Sequence, residues 1–189
     1  DEIASLLPVD DDTLARLVSA DLESDEFMLP SARVLYPPGR WLSMARRYLQ
    51  LPKGIITPRM EHLARTLRAQ NPNAYDYAKA VASTLKRLQY TTNLPPPDSD
   101  KDNVIDRFLF DWRRGHCEYF ASTMTILLRE QGIPARVANG YLGGAKNSVG
   151  DYFVVRQNDA HSWVEAYFPG QGWVTFDPSP AEAAPPPVS

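Results

Sequence analysis

The stretch at residues 115–136 constrains the fold most, because it joins the only cysteine of the chain to an amphipathic helix. Its apolar residues recur at helical spacing and form one stripe: Phe120, Met124, Leu127 and Leu128. Gly132 is placed to end that helix in a left-handed cap, and Pro134 prevents the helix from resuming. Cys117 lies three residues before the start of the stripe, so we expect it in the first turn, on the inward face.

A cysteine in this position has two interpretations. The free N–H groups and the positive end of the helix dipole favour its thiolate form, which suits a nucleophile. A lone cysteine is more often a small buried hydrophobic residue. Cys117 alone therefore does not distinguish a catalytic site from a core, and the rest of the chain must decide.

The length of 189 residues suggests one domain with an appendage, and its charge is unevenly distributed. Nine of the 23 acidic residues lie in residues 1–26, where Arg16 is the only base, so 14 acidic and 19 basic residues leave a net charge of +5 for residues 27–189. The basic residues of 27–189 form no Lys/Arg run, so nucleic acid is not an expected partner. The single cysteine excludes an intrachain disulfide.

We predict three regions: an acidic N-terminal extension at 1–36, a folded domain at 37–180 and a proline-rich linker at 181–189. The chain shows neither a signal peptide nor an apolar run long enough to span a membrane. We therefore expect a soluble domain cut from a larger protein.

Helix signals dominate the first part of the folded domain, and strand signals dominate the last part. The predicted helices cover about 40–50, a stretch from Thr57 with Pro58 at its first position, Asn71 to about Tyr90, and Val104 to Phe110, with a proline-rich loop over 91–102. The predicted strands cover 135–142, 151–157, 160–168 and 173–177. Helices followed by antiparallel strands indicate an α+β fold.

Cysteine catalysis needs a base that takes the thiol proton and a third group that fixes the tautomer of the base. His161 lies in a predicted strand on the same face as Trp163 and Glu165, opposite an aliphatic face, as expected beside a cleft. Asp177 ends the next strand after a tight turn. A hairpin centred on that turn places His161 opposite a position near 180, about three residues from Asp177, although the sequence alone leaves the register open.

Four stretches within about residues 104–180 resemble the transglutaminase-like superfamily, and most closely the bacterial membrane-anchored transglutaminase protein A family. They are Gly115–Ala121 around the cysteine, Leu127–Arg136, Ala160–Glu165 around His161, and Gly172–Ser179. Ser179 stands where many relatives have threonine, which is a mild departure.

The resemblance implies a papain-like core, in which the cysteine helix packs on an antiparallel sheet behind extra N-terminal helices. It implies a catalytic triad of Cys117, His161 and Asp177. It also implies a periplasmic catalytic domain at 37–180, anchored by membrane segments outside this chain and acting on proteins or peptides of the cell envelope. For Asp177, an ordinary Asp-Pro turn is the alternative interpretation.

An oxyanion site needs the backbone N–H of Cys117 and a second donor. By analogy with aromatic donors in relatives, Tyr90 is the candidate for this donor and Trp112 a weaker one. Trp163 is assigned to the cleft wall or to substrate contact.

We expect neither a metal nor a cofactor. His116 is the neighbour of Cys117 on a helix, so the two cannot both turn to one zinc ion with His161, and His116 is assigned a structural role. The acidic residues do not have the spacing of a calcium loop.

The expected function is acyl transfer from a glutamine carboxamide to lysine or another amine through a thioester. A cysteine protease or peptidoglycan amidohydrolase of the same fold is the main alternative, because water can replace the amine. Arylamine acetyltransferases also order Cys, His and Asp, and Arg114-Gly115 weakly resembles their motif. A non-enzymatic adaptor domain that retains the triad is the last alternative.

Overall fold

The computed structural model describes residues 44–94 and 103–181. The predicted extension at 1–36 lies outside these residues, and so does the predicted linker apart from Ala181. In chain order the elements are helices α1 (Pro58–Gln70) and α2 (Ala74–Leu85), strand β1 (Gln89–Tyr90), helix α3 (Val104–Arg107), a π-helical turn (Phe108–Trp112), strand β2 (Arg114–Gly115), helix α4 (Cys117–Glu130), strands β3 (Ala135–Tyr141), β4 (Ala145–Lys146) and β5 (Phe153–Val154), a 3-10 turn (Gln157–Asp159), and strands β6 (Ala160–Phe168) and β7 (Gly172–Phe176).

The first two of these helices show one correct and one incorrect boundary. Thr57 caps α1 as predicted, because its side-chain oxygen accepts a backbone N–H of the first turn. The predicted start of the next helix at Asn71 is wrong, since Asn71 closes α1 and Asn73 caps α2. Two asparagines flank Pro72 and either can cap a helix, so the sequence did not separate them.

Helix α2 is shorter than predicted, because the chain becomes extended before Tyr90. Strand β1 pairs in parallel with β2, and this places Tyr90 opposite Gly115. The Gln89 N–H donates to the carbonyl of Arg113 at 3.0 Å, and the Thr91 N–H donates to the carbonyl of Gly115 at 2.8 Å. This pairing brings residue 90 beside the chain that enters α4.

The predicted short helix from Val104 to Phe110 is α3 followed by the π-helical turn. Arg113 ends that turn in the left-handed region with φ 53°, and its N–H donates to the carbonyl of Phe108 at 3.0 Å. The buried Phe108 ring then lies so close to Gly115 that an added Cβ would sit 2.8 Å from Phe108 Cε2. Close packing therefore requires glycine at the entry to α4.

Helix α4 packs on β6 and β3 and also contacts α2. Its apolar stripe is at most 1 % exposed, as the periodicity predicts. The predicted cap is also confirmed, because Gly132 has a φ of 76° and its N–H donates to the carbonyl of Arg129. The Ile133 N–H donates to the carbonyl of Leu128, which completes a Schellman closure.

The main sheet has three antiparallel strands in the order β3-β6-β7, and their predicted extents agree within one residue at each end. The predicted strand over 151–157 is too long and joins no strand of this sheet. Only β5 is extended there, and it pairs with β4 in a separate hairpin. Gly143 and Gly144 have positive φ and turn the chain out of the sheet, so that β6 pairs with β3.

The predicted α+β order is therefore confirmed: a helix that begins at Cys117 packs on an antiparallel sheet, behind earlier helices. Residues 44–48 are also helical and lie within the predicted 40–50 helix. Arg129 holds the chain just after this helix, because its guanidinium donates to the carbonyl of Gln50 at 2.7 Å. The same guanidinium donates to the carbonyl of Ala135 at 2.9 Å. Within residues 44–94 and 103–181, every helix is too short or too polar to cross a membrane.

We predict that Gly115→Ala lowers the free energy of unfolding by roughly 1–3 kcal/mol, because the new methyl group overlaps the Phe108 ring. Urea denaturation measures this loss. In the double variant with Phe108→Leu the methyl group gains room, so the combined loss should be smaller than the sum of the two single losses. Additive losses would show that Phe108 is not the reason for the glycine.

Candidate active site

Cys117 is the first residue of α4 and carries a free, partly exposed thiol. The preceding residue, His116, is the N-cap with an extended backbone. The His116 ring packs edge-on against Tyr119, with 4.8 Å between ring centroids, which agrees with the structural role expected for it. The thiol therefore lies at the positive end of a 14-residue helix while remaining accessible to a reagent.

His161 and Asp177 form a direct pair. The buried imidazole presents Nε2 to Asp177 Oδ2 at 2.9 Å. The ladder between β6 and β7 ends with Val164 opposite Phe176, and continuing it would place His161 opposite Ser179. Asp177 therefore lies two residues before the position that would face His161, whereas the sequence suggested an offset of about three residues. This offset is short enough for the two side chains to meet.

The carboxylate of Asp177 is held at both oxygens. Oδ2 faces His161, and Oδ1 accepts the backbone N–H of Ser179 at 2.9 Å. The turn interpretation of Asp177 is therefore correct in geometry, yet it does not compete with a bond to His161. The turn orients the carboxylate toward the imidazole, and Ser179 is itself buried.

The bond to Asp177 assigns the two nitrogens of His161. A carboxylate accepts a hydrogen bond, so Nε2 carries the hydrogen and donates it to Asp177, while Nδ1 is left without a hydrogen and can act as a base. The ring of Trp163 lies beside the imidazole with 6.5 Å between centroids and 20° between planes. Its far edge covers Gly140, where a Cβ would lie 2.7 Å from the indole. The assignment of Trp163 to the cleft wall or to substrate contact stays a prediction.

The pKa of Tyr90 is raised by burial and by the charges of both Cys117 and Asp177. Burial is the largest cause that raises the pKa of Tyr90, followed by the charge of Cys117 and a hydrogen bond with its side chain. A backbone hydrogen bond from Cys117 acts in the opposite direction, and the charge of Asp177 adds a further increase. Cys117 and the carboxylate that binds His161 therefore both act on the pKa of the Tyr90 phenol.

The position of Tyr90 follows from two contacts. The β1–β2 pairing fixes its backbone beside the residue two positions before Cys117. Its ring stacks on that of the buried Phe120 in α4, with 6.3 Å between centroids and 17° between planes. The sequence suggested Tyr90 only by analogy, since a two-residue parallel pairing leaves no periodic signal.

Trp112 is directed elsewhere. Its ring packs edge-on against Tyr119 at 6.4 Å, and the Arg107 guanidinium lies 5.2 Å from its centroid. Tyr119 is two residues beyond Cys117, which is more than half a turn around the helix. Trp112 therefore packs on the Tyr119 side of α4, and its assignment as a weaker donor stays a prediction.

In the described ranges 44–94 and 103–181, His, Cys, Asp and Glu side chains form no cluster of three or more that could hold a metal ion. The contact that sequence reasoning missed is the N–H of Ser179, which fixes Asp177. The Asp-Pro-Ser sequence carried a signal for it, because an aspartate commonly accepts the N–H two residues ahead in a turn.

Comparison with protein families matches residues 61–178 to a family described as the transglutaminase-like superfamily. Two curated relatives are a protein-glutamine gamma-glutamyltransferase of Pseudomonas aeruginosa, 41 % identical over 143 residues, and the uncharacterised YebA of Bacillus subtilis, 44 % identical over 140 residues. These alignments cover 76 % and 70 % of this chain but only 20 % and 19 % of the relatives. The chain thus spans about a fifth of their length.

Among solved structures, the periplasmic domain of TgpA from Pseudomonas aeruginosa is similar, with a TM-score of 0.65 and 39 % sequence identity. The match covers 72 % of this chain and 46 % of that one. The shared fold and the family match agree with the resemblance found in the sequence.

We predict that iodoacetamide alkylates Cys117 at neutral pH without denaturant, because the thiol is accessible at a helix start. His161→Ala should slow alkylation by about tenfold or more, since the group that takes the thiol proton is lost. Mass spectrometry follows the reaction without ambiguity, because Cys117 is the only cysteine. His62→Ala, which removes a histidine of α1, is the matched control and should leave the alkylation rate unchanged. Equal rates in the wild type and both variants would show that His161 does not act on the thiol of Cys117.

Proposed function

The chain belongs to the transglutaminase-like superfamily, and on this premise we propose that it is a cysteine acyltransferase that transamidates glutamine side chains of polypeptides. The observation that carries the proposal is the bond between His161 Nε2 and Asp177, with Tyr90 held by strand pairing beside the entry to the helix that begins at Cys117. A nucleophile, a base with a fixed tautomer and a hydrogen-bond donor are the parts that acyl transfer requires.

In the first step Nδ1 of His161 takes the thiol proton, and the sulfur of Cys117 attacks the carboxamide carbon of glutamine. A tetrahedral intermediate forms with one carbon–sulfur bond and a negatively charged oxygen. The imidazolium then returns its proton to the nitrogen, the carbon–nitrogen bond breaks and ammonia leaves. Asp177 stabilises the imidazolium at Nε2 throughout.

In the second step a primary amine attacks the thioester carbonyl, and His161 takes a proton from the amine. The carbon–sulfur bond breaks as the amide forms, and the proton returns to sulfur, which regenerates the thiol of Cys117. When the amine is a lysine side chain, the product is an isopeptide bond between two polypeptides.

The oxyanion in each step needs two donors. We assign them to the backbone N–H of Cys117 and the hydroxyl of Tyr90. The pairing of Tyr90 with Gly115, two residues before Cys117, and the effect of Cys117 on the pKa of Tyr90 support this assignment. Because the pKa of Tyr90 is raised above its usual value of about 10, the hydroxyl keeps its proton at neutral pH and can donate it to an anion.

The similarity to periplasmic domains supports an extracytoplasmic location. We propose that the domain is anchored by membrane segments outside this chain and that its substrates are proteins of the cell envelope. The net charge of +5 in residues 27–189 would hold it weakly near an anionic membrane surface.

Hydrolysis is the second candidate function, and one observation favours it. The Asp177 side chain is 41 % exposed, so water reaches the edge of the site and can compete with an amine for the thioester. A cysteine protease or peptidoglycan amidohydrolase would use the same residues in the same order.

Incorporation of a fluorescent primary amine into an unfolded casein-like chain tests the proposal. We expect slow incorporation that continues with a chelator present, and none with Cys117→Ala, a substitution that a helix tolerates well. Mass analysis of a glutamine peptide incubated with a lysine peptide separates the reactions: joined peptides indicate transfer, whereas conversion of glutamine to glutamate indicates hydrolysis. Peptide-bond cleavage without amine incorporation would support the protease alternative instead.

Variants at the two supporting residues should lose turnover to different degrees. Tyr90→Phe removes one oxyanion donor and should lower kcat by about 10²- to 10³-fold with little change in KM. Asp177→Ala should lower kcat markedly and yet leave more activity than Cys117→Ala, because it removes an orienting group and leaves the nucleophile in place. Trp112→Phe is the control and should retain activity. Wild-type kcat in Tyr90→Phe would remove Tyr90 from the mechanism.

A further inference from the structure

Among the described residues, the exposed large apolar side chains are concentrated in one segment. Of the eight exposed large hydrophobic residues in the described part of the chain, six fall within residues 141–155: Tyr141, Leu142, Val149, Tyr152, Phe153 and Val155. We call this segment, which contains β4 and β5, the apolar hairpin. Phe153 is 66 % exposed and Val149 is 96 % exposed. Exposed apolar side chains that lie together, rather than singly, are a feature of interaction surfaces.

The base of the apolar hairpin adjoins the candidate active site. Tyr141 pairs with Ala160, the residue before His161, and Gly140 pairs with His161 itself. The Leu142 N–H donates to the carbonyl of Asp159 at 2.8 Å, which fastens the hairpin to the chain entering β6. The hairpin therefore begins at Tyr141, the residue after the partner of His161, and backbone hydrogen bonds hold it there.

The charge of the apolar hairpin restricts what it can bind. Residues 141–155 contain one base and one acid, Lys146 and Asp151, and these pair with 3.5 Å between Nζ and Oδ1. A surface that binds anionic lipid combines apolar residues with a basic excess, which this hairpin lacks. The partner that fits is an uncharged polypeptide with apolar or aromatic side chains.

We propose that the apolar hairpin is a docking site for the part of the substrate polypeptide that flanks the reactive glutamine. The inference rests on the proposed function and names its substrate class: glutamines in unfolded segments with apolar neighbours and little net charge. In an extended chain, residues three to five positions from the glutamine lie about 10–17 Å from it. That span matches a docking surface which starts beside His161 and extends away from it.

Three glutamine substrates test the proposal with a fluorescent primary amine as acceptor. Two are peptides of equal length, one with leucine and phenylalanine on both sides of the glutamine and one with serines in their place. The third is a capped Gln-Gly dipeptide, too short to reach the hairpin. The enzymes compared are the wild type, the double variant Tyr152→Ser/Phe153→Ser, and the control Lys146→Ser, whose residue lies opposite Phe153 in the same hairpin.

We expect wild type and Lys146→Ser to prefer the apolar peptide by about tenfold or more in kcat/KM, as the burial of one or two large apolar side chains provides. The double variant should lose this preference, mainly through KM, and should turn over the dipeptide at the wild-type rate. Absence of preference in the wild type, with the dipeptide still turned over, would overturn the docking site alone. Failure with all three substrates would instead overturn the proposed function.

Two further measurements distinguish a substrate polypeptide from other partners that the apolar hairpin could contact. Melting temperatures of the wild type and double variant should agree within about 2 °C, because the substituted side chains are exposed. A large drop would show that they pack within this chain and would overturn the proposal. Sedimentation with anionic vesicles, or concentration-dependent self-association that the double variant abolishes, would assign the hairpin to a membrane or to a second copy and would likewise overturn it.

Discussion

The contact between the apolar stripe of α4 and the buried face of β6 is the interaction on which the rest of the structure depends. Phe120 and Met124 on the helix and Val164 and Ala166 on the strand are all fully buried. Each large side chain in such a contact contributes roughly 1.5–3 kcal/mol relative to exposure. This contact therefore fixes where Cys117, the first residue of α4, lies relative to β6.

The candidate site is built from backbone hydrogen bonds at the ends of regular elements. The β1–β2 pairing holds Tyr90 beside the entry to α4, the strand ladder places Asp177 within two residues of the register of His161, and the N–H of Ser179 sets the carboxylate. Groups held in this way need little reorganisation during a reaction, which is how oriented donors and bases lower a barrier.

The candidate site has a partly exposed carboxylate, Asp177, and the apolar hairpin begins beside the partner of His161. Asp177 is partly open to water, and exposed aromatic side chains begin at Tyr141, one residue after Gly140, the partner of His161. A substrate chain lying on that hairpin would cover part of the opening, and exclusion of water favours an amine over hydrolysis of the thioester. Choice of substrate and choice of reaction would then depend on the same surface.

Local patterns in the sequence determined α4, its cap at Gly132 and the extents of the three main strands, because helical and strand periodicities are set by nearest neighbours. The family resemblance, and not these patterns, selected Cys117, His161 and Asp177 as the candidate triad. Only the tertiary structure decided the rest. Asn73 rather than Asn71 caps α2, two glycines turn the chain at 143 and 144 out of the sheet, and β1 pairs with β2 across a long interval of sequence. These outcomes depend on packing and hydrogen bonding between distant segments, and the sequence within any one segment does not contain them.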